Sequence, residues 1–158
     1  MNKPFNTIDF RSALEIIRPV TTNSNVTVYR FDIFKGVKDA EGKVIKAKAV
    51  GSAYIREGLK TYTVHLKTFL KDTFYLLPNT RPDISDADFV ILTREPAQNS
   101  GKKYFWNNVG EGRMLKDANH GIMQLSWDVL IANDLYMTLH PINATELPDA
   151  VRLASEAA

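Results

Sequence analysis

There is no cysteine among the 158 residues of the chain, and this one absence excludes disulfides, thiolate metal sites and cysteine nucleophiles together. No segment approaches the roughly 18 consecutive apolar residues of a membrane-spanning helix. The opening Met1-Asn2-Lys3-Pro4-Phe5-Asn6 has no apolar run behind its lysine, so no secretory signal is expected. Together these absences suit a bacterial cytoplasmic protein with no membrane partner.

Catalytic signatures are equally scarce. The chain has no G-x-S-x-G elbow, no phosphate-cradling G-x-x-x-x-G-K-[ST] and no G-x-G-x-x-G opening a helix. Val109-Gly110-Glu111-Gly112 contains a G-x-G, but between two strand-like stretches it reads as a bulge. His65, His120 and His140 lack the short spacings of a metal site. The expectation is a non-enzymatic protein with no cofactor and no metal.

What the sequence does contain is a pattern that occurs twice. A shift of 59 residues lays Gly42-Lys43 on Gly101-Lys102, Val50-Gly51 on Val109-Gly110 and Leu66 on Leu125, and places Phe31 and Ile33 on Val90 and Leu92. Apolar and glycine positions that agree in order and spacing predict two copies of one small β unit. In the first, Val26–Phe34, Lys43–Val50, Ser52–Arg56, Thr61–Lys67 and Thr73–Leu77 alternate or concentrate β-branched and aromatic residues and predict strands. In the second, strands are predicted near Asp88–Arg94, Lys102–Val109, Glu111–Leu115, Gly121–Ser126 and Leu135–His140. Pro78, Pro82 and the turn-forming side chains of residues 79–86 separate the copies.

Helices are predicted outside the repeats. Phe10, Ala13, Leu14 and Ile17 recur at helical steps, with Thr7 or Asp9 to cap them and Pro19 to end the run. Near the other end, Thr145 offers a cap, Pro148 suits a first turn, and Leu147, Ala150, Val151 and Ala154 share a face. The organisation expected is therefore an N-terminal helix and linker over 1–24, repeats over 25–79 and 80–141, and a C-terminal helix over 142–158. An isolated copy would bury a marginal core, so the two should combine into one pseudo-symmetric sheet, sandwich or barrel of α+β class.

The repeats differ in charge. Residues 25–79 hold ten Lys/Arg against five Asp/Glu, and residues 80–141 hold six against eight, so the first copy is basic and the second acidic. Basic residues interleave with aromatics: Arg30, Lys43, Lys46, Lys48, Arg56 and Lys60 accompany Tyr54 and Tyr62, while Lys102 and Arg113 accompany Tyr104. Cations along a sheet neutralise phosphates and exposed rings stack on unpaired bases. Those eleven residues are the candidate contacts for single-stranded DNA or RNA. The alternative is a protein-interaction module, an accessory or inhibitor protein or a homodimerising scaffold, with Trp106 and Trp127 as anchors.

Phe105-Trp106, Val109-Gly110, His120-Gly121, Leu125, Leu130 and the strand to Pro141 resemble a group of small bacterial β-domain proteins. Those proteins share an aromatic pair, an isoleucine-glycine step, a charged glycine turn and a leucine-rich strand pair. The resemblance covers residues 88–141, and more loosely 29–78, and departs in the turn, which here spreads over Lys116 to Gly121. It implies a small β domain in tandem and no particular activity. In architecture alone, tandem antiparallel units are similar to the Pur-type and Whirly-type single-strand binders, whose curved sheets hold nucleic acid.

Overall fold

A computed structural model describes residues 25–97, 101, 103–130 and 132–148. Nine strands succeed one another: β1 (Asn25–Lys38), β2 (Val44–Arg56), β3 (Tyr62–Leu66), β4 (Phe74–Pro78), β5 (Phe89–Pro96), β6 (Tyr104–Met114), β7 (Ile122–Trp127), β8 (Leu135–Thr138) and β9 (Asn143–Pro148). A three-residue 3₁₀ turn, Asp117–Asn119, is the one helical element among the described residues. Val28–Thr145 form one compact unit, which holds the hydrophobic core.

The expected α+β class is thereby corrected to an antiparallel β protein. Residues 143–148, assigned to a C-terminal helix, form β9 instead. Thr145 is β-branched, and a proline that would suit a first helical turn is equally tolerated at the end of an edge strand, where no ladder hydrogen bond is lost. The remainder of that segment and the predicted N-terminal helix lie outside the described residues.

The sheet runs in sequence order from β2 to β8, each strand antiparallel to the next, and then returns to β1. Because β1 also pairs with β2, β1 to β8 form a closed ring. Residues Ile33, Phe34 and Lys35 make the closure, with Gly51, Ala49 and Lys48 on one side and Met137, Tyr136 and Leu135 on the other. This is an up-and-down barrel, whose closure removes the exposed edges an open meander would carry.

Each predicted pair Lys43–Val50/Ser52–Arg56 and Lys102–Val109/Glu111–Leu115 is a single long strand with a bulge at the glycine step. Ile33 faces Gly51 and Phe34 faces Ala49, leaving Val50 as the extra residue; Ile91 faces Gly110 and Leu92 faces Asn108, leaving Val109. Bulges bend a strand and increase its twist, as a small closed barrel requires. The β5–β6 ladder keeps this one irregularity, whereas β1–β2 has a second one that leaves Ala47 extra.

Alternate residues turn inward to fill the ring. Phe31, Ile33, Ala53, Val64, Leu66, Phe74, Leu76, Ile91, Met123, Leu125, Trp127, Leu135 and Met137 form one buried cluster. Leu76 and Ile91 are cross-strand partners, as are Ile33 and Met137, and all four are buried. The interior is thus a packed core. The link between β4 and β5 is tied down: Asn79 Nδ2 donates to the carbonyls of Ser85 and Ala87, each at 2.9 Å, and Ser85 Oγ meets Glu111 Oε2 at 2.7 Å.

A smaller cluster, Phe34, Val44 and Tyr136 with Leu115 and Ile122, packs on the outer face. Phe34 and Tyr136 stack at 5.9 Å, and Gly36 lies so close that a methyl there would come within 2.8 Å of the Tyr136 ring. Asn119 holds the end of the β1–β2 hairpin over it, accepting from Val44 N–H at 2.8 Å and donating to the Gly42 carbonyl at 2.9 Å.

Candidate nucleic-acid interface

Strand alternation decides which candidate residues meet. Tyr29, Phe31 and Ile33 of β1 belong to the core, so Arg30 and Asp32 face outward with their cross-strand partners Tyr54 and Ser52. Arg30 Nε donates to Ser52 Oγ at 3.2 Å, and the Tyr54 ring meets His65 edge-on at 6.1 Å. Arg56 lies two positions beyond Tyr54 and shares this face. Arg30, Tyr54 and Arg56 are therefore brought together, each half-buried.

The lysines of β2 divide. The pattern of the sequence puts Lys46 and Lys48 on one face, but the extra residue Ala47 reverses the alternation between them. Lys46 then pairs in register with Gly36 and Lys48 with Lys35, on opposite sides of the ribbon. Lys46 Nζ forms an ion pair with the buried carboxylate of Asp32. Burying a carboxylate without a partner is costly, so this lysine compensates a covered charge on the outer face before it can serve any ligand. Lys48, Lys43 and Lys60 are exposed.

Three other candidates have structural roles or lie elsewhere. Tyr62 packs edge-on against Phe31 at 5.3 Å and Phe89 at 6.3 Å, and burial raises its phenol above the usual tyrosine value. Arg113 is held by Asp86 at 2.7 Å and Glu111 at 3.0 Å. The hydrogen bonds it donates to these two carboxylates, Asp86 first, raise its pKa, and Arg113 in turn lowers that of Asp86. Lys102 lies outside the described residues. The ten described candidates thus do not form one surface.

The remaining candidate, Tyr104, leads to a cluster that sequence reasoning only grazed. Arg94 of β5 sits opposite Trp106 of β6. Its guanidinium carbon lies 4.2 Å from the centroid of Tyr104, 5.0 Å from Tyr75 and 5.9 Å from Trp106. Tyr75 and Trp106 meet edge-on at 5.3 Å, and Lys103 Nζ stands 5.7 Å from the Tyr104 ring. A cation among ring faces is attracted by their quadrupoles and fixes their orientation. Trp106 and its neighbour Phe105 are each 50% exposed, although large apolar side chains ordinarily sit inside.

Arg94 and Tyr75 escape a reading of the sequence because they come from different strands, and only the β4–β5 register brings them together. Tyr75 is paired with Leu92, two residues before Arg94 on the same side of β5. The aromatic pair Phe105-Trp106 is the available signal, with Arg94 twelve positions upstream of Trp106 across a hairpin. Among the described residues no three His, Asp or Glu side chains are placed to hold a metal ion, and no helix is long and apolar enough to cross a membrane.

Comparison with known proteins adds no relative: no family model matches the chain, and neither a curated protein nor a solved structure matches it.

Proposed function

We propose that the protein is a non-enzymatic, cytoplasmic binder of single-stranded nucleic acid, DNA or RNA, and that its contact surface is the outer face of β4, β5 and β6. The observation that carries this reading is the Arg94 guanidinium set among Tyr75, Tyr104 and Trp106 beside a half-exposed indole. An unpaired base has two apolar faces and gains about 1–3 kcal/mol by stacking on such a ring. Arg94 and Lys103 supply positive charge for the adjoining phosphates, while the nearby Glu95 carboxylate is engaged by Asn107 Nδ2 at 2.7 Å. The exposed lysines of the β1–β2 hairpin, Lys43 and Lys48, add a sequence-independent attraction.

Fluorescence anisotropy of labelled single-stranded DNA, single-stranded RNA and duplex across a salt series tests the reading. Binding that prefers single strands, weakens with salt and falls on Trp106→Ala is expected. Absence of binding to every single strand at low salt would overturn it.

A protein partner or a second copy of the chain is the alternative, and one observation favours it. Val37 and Ile45 face each other across β1 and β2 and are 57% and 47% exposed. Concentration-dependent self-association without oligonucleotide binding would support that reading instead.

A further inference from the structure

Three arginines give N–H groups to side-chain acceptors. Arg30 donates to Ser52, Arg81 to Asp83, and Arg113 to Asp86 and Glu111. Arg94 is half-buried and finds no hydrogen-bond acceptor among the described residues. The Glu95 carboxylate, its neighbour in sequence, receives Asn107 instead. The rings of Tyr75, Tyr104 and Trp106 interact with the guanidinium as a cation. They provide no acceptor for its five in-plane donors, whose fork matches a pair of acceptor atoms side by side.

Held against aromatic rings, with donors that no described residue accepts, this guanidinium is positioned for a ligand that brings two adjacent acceptors. Phosphate oxygens have that chemistry, and so does the O6/N7 edge of guanine. The two sources differ in where they would lie. Trp106 is the cross-strand partner of Arg94, and its exposed half is where a base would stack. A base seated there presents its edge, before its phosphate, to the neighbouring side chain. We propose that Arg94 reads the O6/N7 edge of an unpaired guanine stacked on Trp106, so that the surface prefers guanine over other bases. This rests on the proposed single-strand binding and names its preferred base.

The test uses the full chain and labelled thymidine oligonucleotides of about 15 nucleotides, long enough for one site. One is unmodified, one carries a single central guanine, and one carries 7-deazaguanine at that place, which lacks the N7 acceptor. The guanine oligonucleotide should bind about fivefold or more tighter than the unmodified one, in line with a bidentate base contact. The 7-deaza form should lose most of that gain. Arg94→Lys, which keeps the charge and loses the fork, should abolish the difference while leaving the salt dependence unchanged. Its thermal midpoint should stay near that of the native chain, which separates lost recognition from lost fold. Equal affinity for all three oligonucleotides, with Arg94→Lys weakening all of them alike, would assign the guanidinium to phosphate and overturn the guanine proposal while single-strand binding stands. No binding to any of the three would instead remove single-strand binding itself.

Discussion

Gly51 and Gly110 occupy matching places in the sheet, each just after the extra residue of a bulge and each pressed under a carbonyl of the next strand. A Cβ on Gly51 would come 2.5 Å from the His65 oxygen, and one on Gly110 would collide with the Ser126 oxygen. The extra residues match as well: the Val50 carbonyl accepts from Lys67 N–H and the Val109 carbonyl from Asp128 N–H, both at 2.8 Å. Backbone cannot move aside as a flexible side chain can, so both positions exclude any side chain. Gly51→Ala and Gly110→Ala should each destabilise by about 1–3 kcal/mol, the usual range for overpacking. Gly101→Ala, with nothing within 4 Å, should be neutral. Denaturant midpoints of the three variants check this.

The ion pair of Lys46 with the buried Asp32 predicts a stability effect where a simple cationic surface would predict a binding effect. Lys46→Met leaves the carboxylate without its partner and should cost about 1–3 kcal/mol. Replacing both, with Asp32→Asn added, should recover part of the loss. Lys48→Met, on the other side of the ribbon, should leave the urea midpoint unchanged.

Asn119 joins the β6–β7 turn to the β1–β2 hairpin by two hydrogen bonds. Asn119→Ala should expose the Val44 amide, so its hydrogen exchange should accelerate ahead of amides in the main core, with a loss of about 1–2 kcal/mol. Uniform acceleration across the barrel would mean that the outer cluster is no separate unit.

Stability should fall at alkaline pH. Burial raises the phenol of Tyr62, and burial together with the smaller effect of the Asp134 charge raises that of Tyr136. Raised folded values favour the neutral phenol, so the contribution is complete below the unfolded tyrosine value near pH ~10 and is lost as pH rises through the folded values. The double variant Tyr62→Phe/Tyr136→Phe should have a flatter stability profile above that pH, measured by thermal midpoint.

The two bulges are legible in the sequence because the glycine steps announce them. Val50-Gly51 and Val109-Gly110 stand 59 apart and both mark bulges. A single shift nevertheless misplaces the rest. Gly51 pairs with Leu66 and Gly110 with Trp127, so the position of Leu66 corresponds to Trp127 and not to Leu125. Likewise Ile33, opposite Gly51, corresponds to Ile91 and not to Leu92. Hairpin connections of different length move the offset, and apolar alternation along each strand hides a slip of two. Residues 143–148 mislead because a threonine and a proline signal a helix start and a strand end alike. The site is the least legible part, since one unpaired residue at Ala47 separates Lys46 from Lys48, and Arg94 acquires its rings only through cross-strand register.

Trp106 tests the proposed surface most directly. The chain has two tryptophans, and Trp127 is a core residue whose indole N–H has no acceptor among the described residues. Trp127→Phe removes that orphaned donor and leaves Trp106 as the sole indole. Its emission is then monitored as a single-stranded oligonucleotide is added. Saturable quenching at the midpoint given by anisotropy, with loss of acrylamide access, is the result expected if bases stack on Trp106. Binding that leaves the indole emission and its acrylamide access unchanged would contradict it.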